Sequence, residues 1–351
     1  MPALSGRLSK ALPSEGLISR VWPQFAARAR RNWQRLLSIP SEVAIRVLYA
    51  GLLANFFEPV GQDFSSARGK ASVAGLGERS GAIVRALKQD GVTATSLDAL
   101  GLASSPTMFR DAKVLSTKLA ERSRSPSDGG RPILTASAED LLASREIFQW
   151  GLNDPLLDLV EAYLGGPCAY DGLEYYYSKA DGRETSTRIW HRDREDVRTL
   201  KIALYVNDVD EEGGPFQIVD PEFQRAVDSQ LSWRYASVSD AKLQDMARRH
   251  DDTGKPTLRS LTGAAGTVFF VDTARCHHRG KPPTLRDRSA IYFSYFSRTP
   301  KHPYFCERSG LSRTQLIEIA EQLPERQRAA VLWRDTLPWS SRVIPRNRLT
   351  V

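Results

Sequence analysis

The sequence has few of the residues from which small stabilising sites are built. Only three of its 351 residues are cysteines, at positions 168, 276 and 306, and no two of them form a CxxC pair. An odd number without that spacing argues against a disulfide framework and a structural zinc site, and it favours a reducing compartment. Histidine is also scarce, at five residues, so any cluster of histidines is informative.

Long apolar runs are missing as well. The most apolar stretch, 43–57, is interrupted by Arg46 and Asn55 and is too short to cross a bilayer. The first residues show no apolar core followed by a small-residue cleavage site, so no secretory signal is predicted. Hydrophobic residues make up 41% and charged residues 26%, which is typical of a globular protein. We therefore expect a soluble, cytoplasmic protein.

Positive charge is concentrated in one part of the chain. Residues 1–46 hold eight Lys or Arg against two Glu, so they account for six of the eight net positive charges. The remainder is close to neutral, and the basic pI therefore does not predict nucleic-acid binding. The Arg-rich stretch 26–37 is expected to be a solvated helix face. The alternative is a peripheral contact with an anionic membrane surface.

The chain divides into three predicted parts. Residues 1–80 are predicted to form a basic helical extension with prolines at the helix boundaries. Residues 81–300 begin with helices and continue in short β-branched and aromatic runs such as LKIALYVNDV, GTVFFVD and SAIYFSYFS, which predict strands. This order favours an α+β fold, a double-stranded β-helix of the jelly-roll or cupin type backed by helices. Within it, the polar segment 221–262 is predicted to be a lid-like insertion, and 301–351 a helical extension.

The segment IWHRDRED contains the pattern that points to chemistry. His191 and Asp193 are two residues apart, so on a strand both side chains would point to one face. An imidazole and a carboxylate supply two of the three ligands of a facial triad for non-haem iron, with positions left open for a co-substrate and oxygen. A lone His-x-Asp is a weak signal. It gains weight from the following strand, a Gly-Gly-Pro turn at 213–215 and a distal histidine.

That distal histidine lies in GTVFFVDTARCHHRG. His277 and His278 are adjacent and would point opposite ways in an extended chain, so only one is expected to bind a metal. Ten residues later, Arg288 opens another apolar strand, and a planar guanidinium can hold a carboxylate through two hydrogen bonds. Arg286 could share its face and is the alternative. Cys276 is expected to pack rather than to bind the metal.

The order of these motifs resembles the phytanoyl-CoA dioxygenase-like family of Fe(II)- and 2-oxoglutarate-dependent oxygenases, over residues 170–296. The resemblance implies that the iron ligands are His191, Asp193 and His278, since His-Arg-Gly is the recurring triplet, and that Arg288 binds 2-oxoglutarate. It also implies the reaction, in which O2 and 2-oxoglutarate are consumed, succinate and CO2 are released, and a small-molecule substrate is hydroxylated, desaturated or demethylated. The sequence does not indicate which substrate.

Two more positions are predicted to contact 2-oxoglutarate. Lys201 can hold an acidic group, although a single lysine on a strand more often faces solvent. Tyr175 precedes the metal pair on a strand and can donate a hydrogen bond, as can Tyr177, although aromatic packing is the more common role for each.

Two other functions stay open at this point. One is a cupin-like metalloenzyme that does not use 2-oxoglutarate, against which Arg288 argues. The other is a non-catalytic barrel whose basic arm binds a membrane or an acidic partner.

Overall fold

The boundaries of helices and strands in the computed structural model follow the turn residues of the sequence. The structure describes residues 75–128, 130–232, 234–250, 257–300 and 310–337, all within one structural unit. Most of the predicted N-terminal extension, and with it the basic arm, lies outside these residues. No helix in the described part of the chain has the length and apolar character needed to cross a membrane.

Helices and strands alternate irregularly along the chain. The helices are α1 (Glu78–Asp90), α2 (Leu97–Leu100), α3 (Ser105–Ser123), α4 (Ala138–Ala143), α5 (Arg145–Trp150), α6 (Asp154–Leu164), α7 (Pro221–Gln230), α8 (Asp240–His250), α9 (Arg313–Glu321) and α10 (Glu325–Val331). The strands are β1 (Val92–Ser96), β2 (Ile133–Thr135), β3 (Cys168–Ser178), β4 (Leu200–Tyr205), β5 (Phe216–Val219), β6 (Leu258–Leu261), β7 (Thr267–Asp272), β8 (His278–Gly280) and β9 (Arg288–Ser297).

The strands form two antiparallel sheets. The larger sheet has the order β1-β7-β4-β9-β3-β2, and the smaller one has the order β6-β5-β8. The strands predicted for LKIALYVNDV, GTVFFVD and SAIYFSYFS are present as β4, β7 and β9. The chain is thus a mixed α/β protein with antiparallel sheets, and the double-stranded β-helix stays a prediction.

Alternate side chains of the larger sheet enter two different cores, because successive residues of a strand point to opposite faces. The helix-side core lies between this sheet and helices that precede β3 or follow β9 in the chain, and it includes Leu173, Ile202, Phe270 and Phe293. The site-side core includes residues of the same strands with the opposite parity, together with the smaller sheet; among them are Ala203, Phe216, Phe269 and Tyr292. One face of the sheet is therefore packed against helices and the other encloses the candidate site.

Glycine and proline set the helix ends that frame this sheet. α1 ends at Gly91, which has φ 73° and donates its N–H to the Leu87 carbonyl. α6 has Pro155 in its first turn and ends at Gly165, with φ 85°. Residues 138–150 form two helices, α4 and α5, because the chain leaves helical geometry at Ser144 (φ −125°, ψ 57°).

The 221–262 insertion is joined to the site-side core. The apolar faces of α7 and α8 bury Phe223, Val227, Leu243 and Met246 in that core, and β6 pairs with β5 in the smaller sheet. The described part of the insertion is therefore a component of the packed fold and not a detached cover. Its role as a lid stays a prediction.

Candidate metal centre

The backbone brings His191 and His278 face to face. His191 donates its N–H to the His278 carbonyl at 3.0 Å and accepts the reverse bond at 2.9 Å, and the two rings lie 4.4 Å apart. His278 begins β8. The His-x-Asp segment is not a regular strand as the sequence predicts, but a bridge: His191 pairs with His278, and Asp193 donates its N–H to the Thr273 carbonyl at 3.0 Å.

Both imidazoles turn the same nitrogen toward the centre. His191 Nδ1 lies 2.7 Å from the Ile189 carbonyl oxygen, and His278 Nδ1 lies 3.2 Å from that of Cys276. A carbonyl only accepts, so each Nδ1 carries the hydrogen and each Nε2 keeps its lone pair. Burial, and then the neighbouring His191, hold the pKa of His278 well below its ordinary value. Its imidazole is therefore neutral, the form that binds metals.

Three ligand atoms converge in this place. Among the described residues, His191, Asp193 and His278 are the group whose donor atoms all lie within 4.8 Å of one another. His278 Nε2 is buried and has no hydrogen-bond partner in the described part of the chain. A buried lone pair without a partner is costly, and a bound metal would remove that cost. Two imidazoles and one carboxylate are the donor set of a facial triad, so these residues can hold iron.

His277 is directed away from this group. Its Nε2 donates to the Ala236 carbonyl at 3.0 Å, and Gln224 Nε2 lies 3.0 Å from its Nδ1. Both ring nitrogens therefore have partners. The ring points away from that of His278, as expected for adjacent residues in an extended chain. Burial lowers the pKa of His277 to about 4, so it stays neutral in the folded protein at neutral pH.

Lys201 belongs to the metal cluster and does not face solvent. Its side chain is 8% exposed, and its Nζ lies 2.8 Å from Asp193 Oδ2. The same oxygen is 3.9 Å from His278 Nε2. The lysine ammonium therefore neutralises the carboxylate that the histidines face.

Arg288 lies at the start of β9 with its guanidinium next to β8. Its Nη1 donates to the Lys281 carbonyl at 3.3 Å and its Nη2 to Ser178 Oγ at 3.4 Å, while its Nε has no partner among the described residues. Within the described ranges no carboxylate lies within 4.0 Å of it, although it is 3% exposed. A buried cation without a counter-charge is costly and is suited to binding an anion.

Gly280 is the residue of β8 that the guanidinium lies against. A Cβ atom at this position would collide with Arg288 Nη2, so the glycine leaves room for the guanidinium where it now lies. Gly280 follows His278 by two residues on β8, so both face the same side, roughly 7 Å apart along the strand. The alternative residue, Arg286, is exposed and paired with Asp210 and Glu212.

Tyr175 is the predicted site residue that the structure does not bring to the metal cluster. It lies in the helix-side core, where its hydroxyl donates to the Ala112 carbonyl at 2.6 Å and lies 3.0 Å from Ser289 Oγ. Tyr177 is on the same face, with its hydroxyl on Asp287. Tyr176, between them, is the residue of this trio that packs against the site-side core.

The sequence did not reveal the layer behind the ligands. Arg192, between His191 and Asp193, is 5% exposed and pairs with Asp228 of α7 at 3.1 Å. Gln224, one turn earlier on α7, accepts the N–H of His277 at 2.7 Å. One helix of the insertion therefore holds both ligand-bearing segments. Gln224 and Asp228 are four residues apart, but their partners are defined only by tertiary structure.

Cys276 has the packing role that the sequence predicts. It is fully buried, and burial raises the pKa of its thiol to about 12. A thiol that stays protonated does not bind metal, since the thiolate is the ligand form. Its backbone carbonyl contributes to the metal centre, because it accepts the hydrogen bond from His278 Nδ1.

No protein-family model matches the chain, and no curated protein matches it significantly. Solved structures with partial similarity include the non-heme alpha ketoglutarate dependent epimerase SnoN from nogalamycin biosynthesis, at 16% identity and a TM-score of 0.40 over 63% of this chain and 84% of that one.

Two further solved structures have a similar degree of likeness. HygX from Streptomyces hygroscopicus with nickel and 2-oxoglutarate bound is 15% identical with a TM-score of 0.39, over 67% of this chain and 92% of that one. EctD from S. alaskensis with bound Fe is 17% identical with a TM-score of 0.42, over 65% and 80% respectively. At these values the assignment of a function rests on the residues of the site itself.

Proposed function

We propose that this chain is an Fe(II)- and 2-oxoglutarate-dependent oxygenase. The observation that carries the proposal is a His–Asp–His group with a buried, neutral imidazole lone pair, next to a buried arginine without a carboxylate partner among the described residues. A metal site alone would fit many enzymes. The additional buried guanidinium is what favours a co-substrate with a second carboxylate.

Each part of the co-substrate would have a place in this arrangement. His191, Asp193 and His278 would hold iron, and Arg288 would bind the distal carboxylate of 2-oxoglutarate through its planar fork. Bound iron would supply the activation of O2 that couples decarboxylation of 2-oxoglutarate to oxidation of a second substrate. Arg288 is 3% exposed, so its ion pair with a carboxylate would be shielded from water.

The finer assignment is a member of the phytanoyl-CoA dioxygenase-like family that hydroxylates a small molecule in the cytoplasm. It is supported by the order of the His-x-Asp, His-Arg-Gly and Arg288 motifs. It is also supported by the carboxylate of Asp193, which completes the set of three protein ligands. A cupin-like metalloenzyme without 2-oxoglutarate would leave Arg288 buried without function. A non-catalytic barrel would leave the ligand group unexplained as well.

The test is metal content and co-substrate turnover in the purified protein. We expect iron(II) to bind at one site per chain and 2-oxoglutarate to be converted slowly to succinate without a prime substrate. Asp193→Ala should abolish both. Asp245→Ala, a half-exposed carboxylate of α8, is the matched control and should change neither. Metal content and turnover that survive Asp193→Ala would show that the site is assigned incorrectly.

A further inference from the structure

Two cations on the site side of the larger sheet lie at opposite ends of β9. Arg288 is the first residue of this strand, and Lys201 is the register partner of Ser294, six residues later. Six residues of extended chain span about 20 Å. Lys201 and Arg288 therefore do not serve the same end of one small ligand, although both are predicted to contact 2-oxoglutarate. Arg288 lies next to Gly280, whereas Lys201 lies against Asp193.

The ammonium of Lys201 lies where it competes with a metal. Asp193 Oδ2 is 2.8 Å from Lys201 Nζ and 3.9 Å from His278 Nε2, so one oxygen faces both groups. Both side chains of the ion pair are at most 8% exposed, which leaves little water to screen the charges. A metal ion that binds this oxygen would compete with the Lys201 ammonium for the negative charge of Asp193.

Ser294 provides a second donor beside this lysine. It is fully buried, and its Oγ has no hydrogen-bond partner in the described part of the chain. Directly opposite residues of antiparallel strands have Cβ atoms about 5 Å apart, so the hydroxyl lies next to the lysine stem. Its register partner on the other side is Gly172, which has no side chain to satisfy it. An ammonium and an unsatisfied hydroxyl on one face suit a carboxylate.

We propose that Lys201 exchanges partners when the site is loaded. In the metal-free protein it pairs with Asp193. When a metal and a 2-oxo acid are bound, it pairs with the carboxylate next to the keto group, and Ser294 donates to the same carboxylate. The inference rests on the proposed function. As a consequence, Lys201 weakens metal binding when no 2-oxo acid is present and strengthens 2-oxo-acid binding when the metal is present. The two binding events therefore depend on each other.

The substitution Lys201→Met tests this, because it keeps the length of the side chain and removes the charge. Manganese(II) affinity of the co-substrate-free protein, measured by calorimetric titration, should rise by at least about ten-fold. Pyruvate affinity of the manganese-loaded protein should fall by at least about ten-fold. Pyruvate is the probe because it lacks the distal carboxylate that Arg288 would bind. A merely structural defect would lower both affinities, so the opposite signs are the diagnostic result.

Two further variants test the other residues that would bind the co-substrate. Ser294→Ala should weaken pyruvate binding by a few-fold and leave metal affinity unchanged. Arg288→Ala should weaken 2-oxoglutarate binding but not pyruvate binding. A Lys201→Met protein with unchanged pyruvate affinity, or with lower metal affinity, would overturn the inference while leaving the proposed function in place. Wild-type protein that binds neither metal nor 2-oxoglutarate would overturn both.

Discussion

The two faces of β9 differ in whether their buried polar atoms have hydrogen-bond partners. On the face toward the helices, Tyr295 donates its hydroxyl to the Gly151 carbonyl at 2.6 Å, and Ser289 Oγ lies 3.0 Å from the Tyr175 hydroxyl. On the face toward the site, Arg288 Nε and Ser294 Oγ are buried without a hydrogen-bond partner among the described residues. The buried polar atoms of β9 that lack a partner among the described residues therefore lie on its site-side face.

Under the proposed function, this difference divides the polar groups that stabilise the fold from the groups that would bind a ligand. A buried polar group without a partner costs about 1–3 kcal/mol, so such groups are expected to persist where a ligand satisfies them. Substitutions on the helix-side face should therefore reduce stability and spare binding. Substitution of Arg288 or Ser294 on the site-side face should reduce binding and spare stability.

The largest effect on the helix-side face is expected for Phe293→Ala. Phe293 is fully buried and its ring lies 4.9 Å from that of Trp150. Truncation should lower the free energy of unfolding by about 3–5 kcal/mol through lost contacts and a cavity. Denaturant unfolding measures this, and iron affinity of the folded fraction should not change. A selective loss of iron affinity with normal stability would contradict the separation of the two faces.

The opposite pattern is expected for Arg288→Ala. Removal of one partner of a desolvated charge pair costs about 2–5 kcal/mol, so the apparent 2-oxoglutarate dissociation constant should rise at least tens-fold. Iron affinity should stay nearly unchanged. Stability of the metal-free protein should not fall, because a buried guanidinium without a counter-charge is itself unfavourable.

The control for Arg288→Ala is Arg286→Ala, two residues earlier and half-exposed in a surface ion pair. Surface pairs contribute little, so this variant should bind 2-oxoglutarate as the wild type does. If the two variants had equal effects on 2-oxoglutarate binding, the carboxylate would not be bound by Arg288.

How far the sequence predicts this site depends on the strand. In β9 the position of Arg288 ahead of an apolar run fixes the start of the strand, and alternation from there places 290, 292 and 294 on the same face. β3 offers no such guide, because ten of its eleven residues are buried and three consecutive tyrosines match either parity. The sequence therefore does not distinguish Tyr175 from Tyr176 as the residue that faces the site.

The residues that support the ligands through tertiary contacts cannot be predicted from the sequence, for a different reason. The bond between Gln224 and His277 joins residues 53 positions apart, and nothing local in α7 indicates it. The pairing of His191 with His278 is likewise set by how the chain folds back. The ligand types could be predicted from chemistry, but their supporting residues required the structure.

The two adjacent histidines extend the comparison to pH. The unfolded chain binds a proton at His277 below about pH 6.5, whereas burial lowers the pKa of His277 in the folded protein to about 4. The folded-state pKa is depressed, so the unfolding free energy is unaffected above pH 6.5 and falls between pH 6.5 and 4. The slope is about 1.4 kcal/mol per pH unit for this group.

The replacement His277→Gln should remove that contribution. The metal-free variant should show a pH slope smaller by about one proton in denaturant unfolding between pH 6.5 and 4. A slope remains, since burial also lowers the pKa of His278. Identical slopes in the two proteins would mean that His277 is not buried as a neutral ring.

The smallest effect is expected for Tyr175→Phe, which tests the helix-side position of this residue directly. The change removes a hydroxyl that donates to the Ala112 carbonyl and contacts Ser289, so stability should fall by about 1 kcal/mol, the net value of one intramolecular hydrogen bond. Because the hydroxyl points away from the metal cluster, the affinity for 2-oxoglutarate should equal that of the wild type. Calorimetric titration of the metal-loaded variant measures it. A ten-fold weaker affinity at unchanged stability would move Tyr175 to the site-side face and return it to the group of co-substrate ligands that the sequence alone suggested.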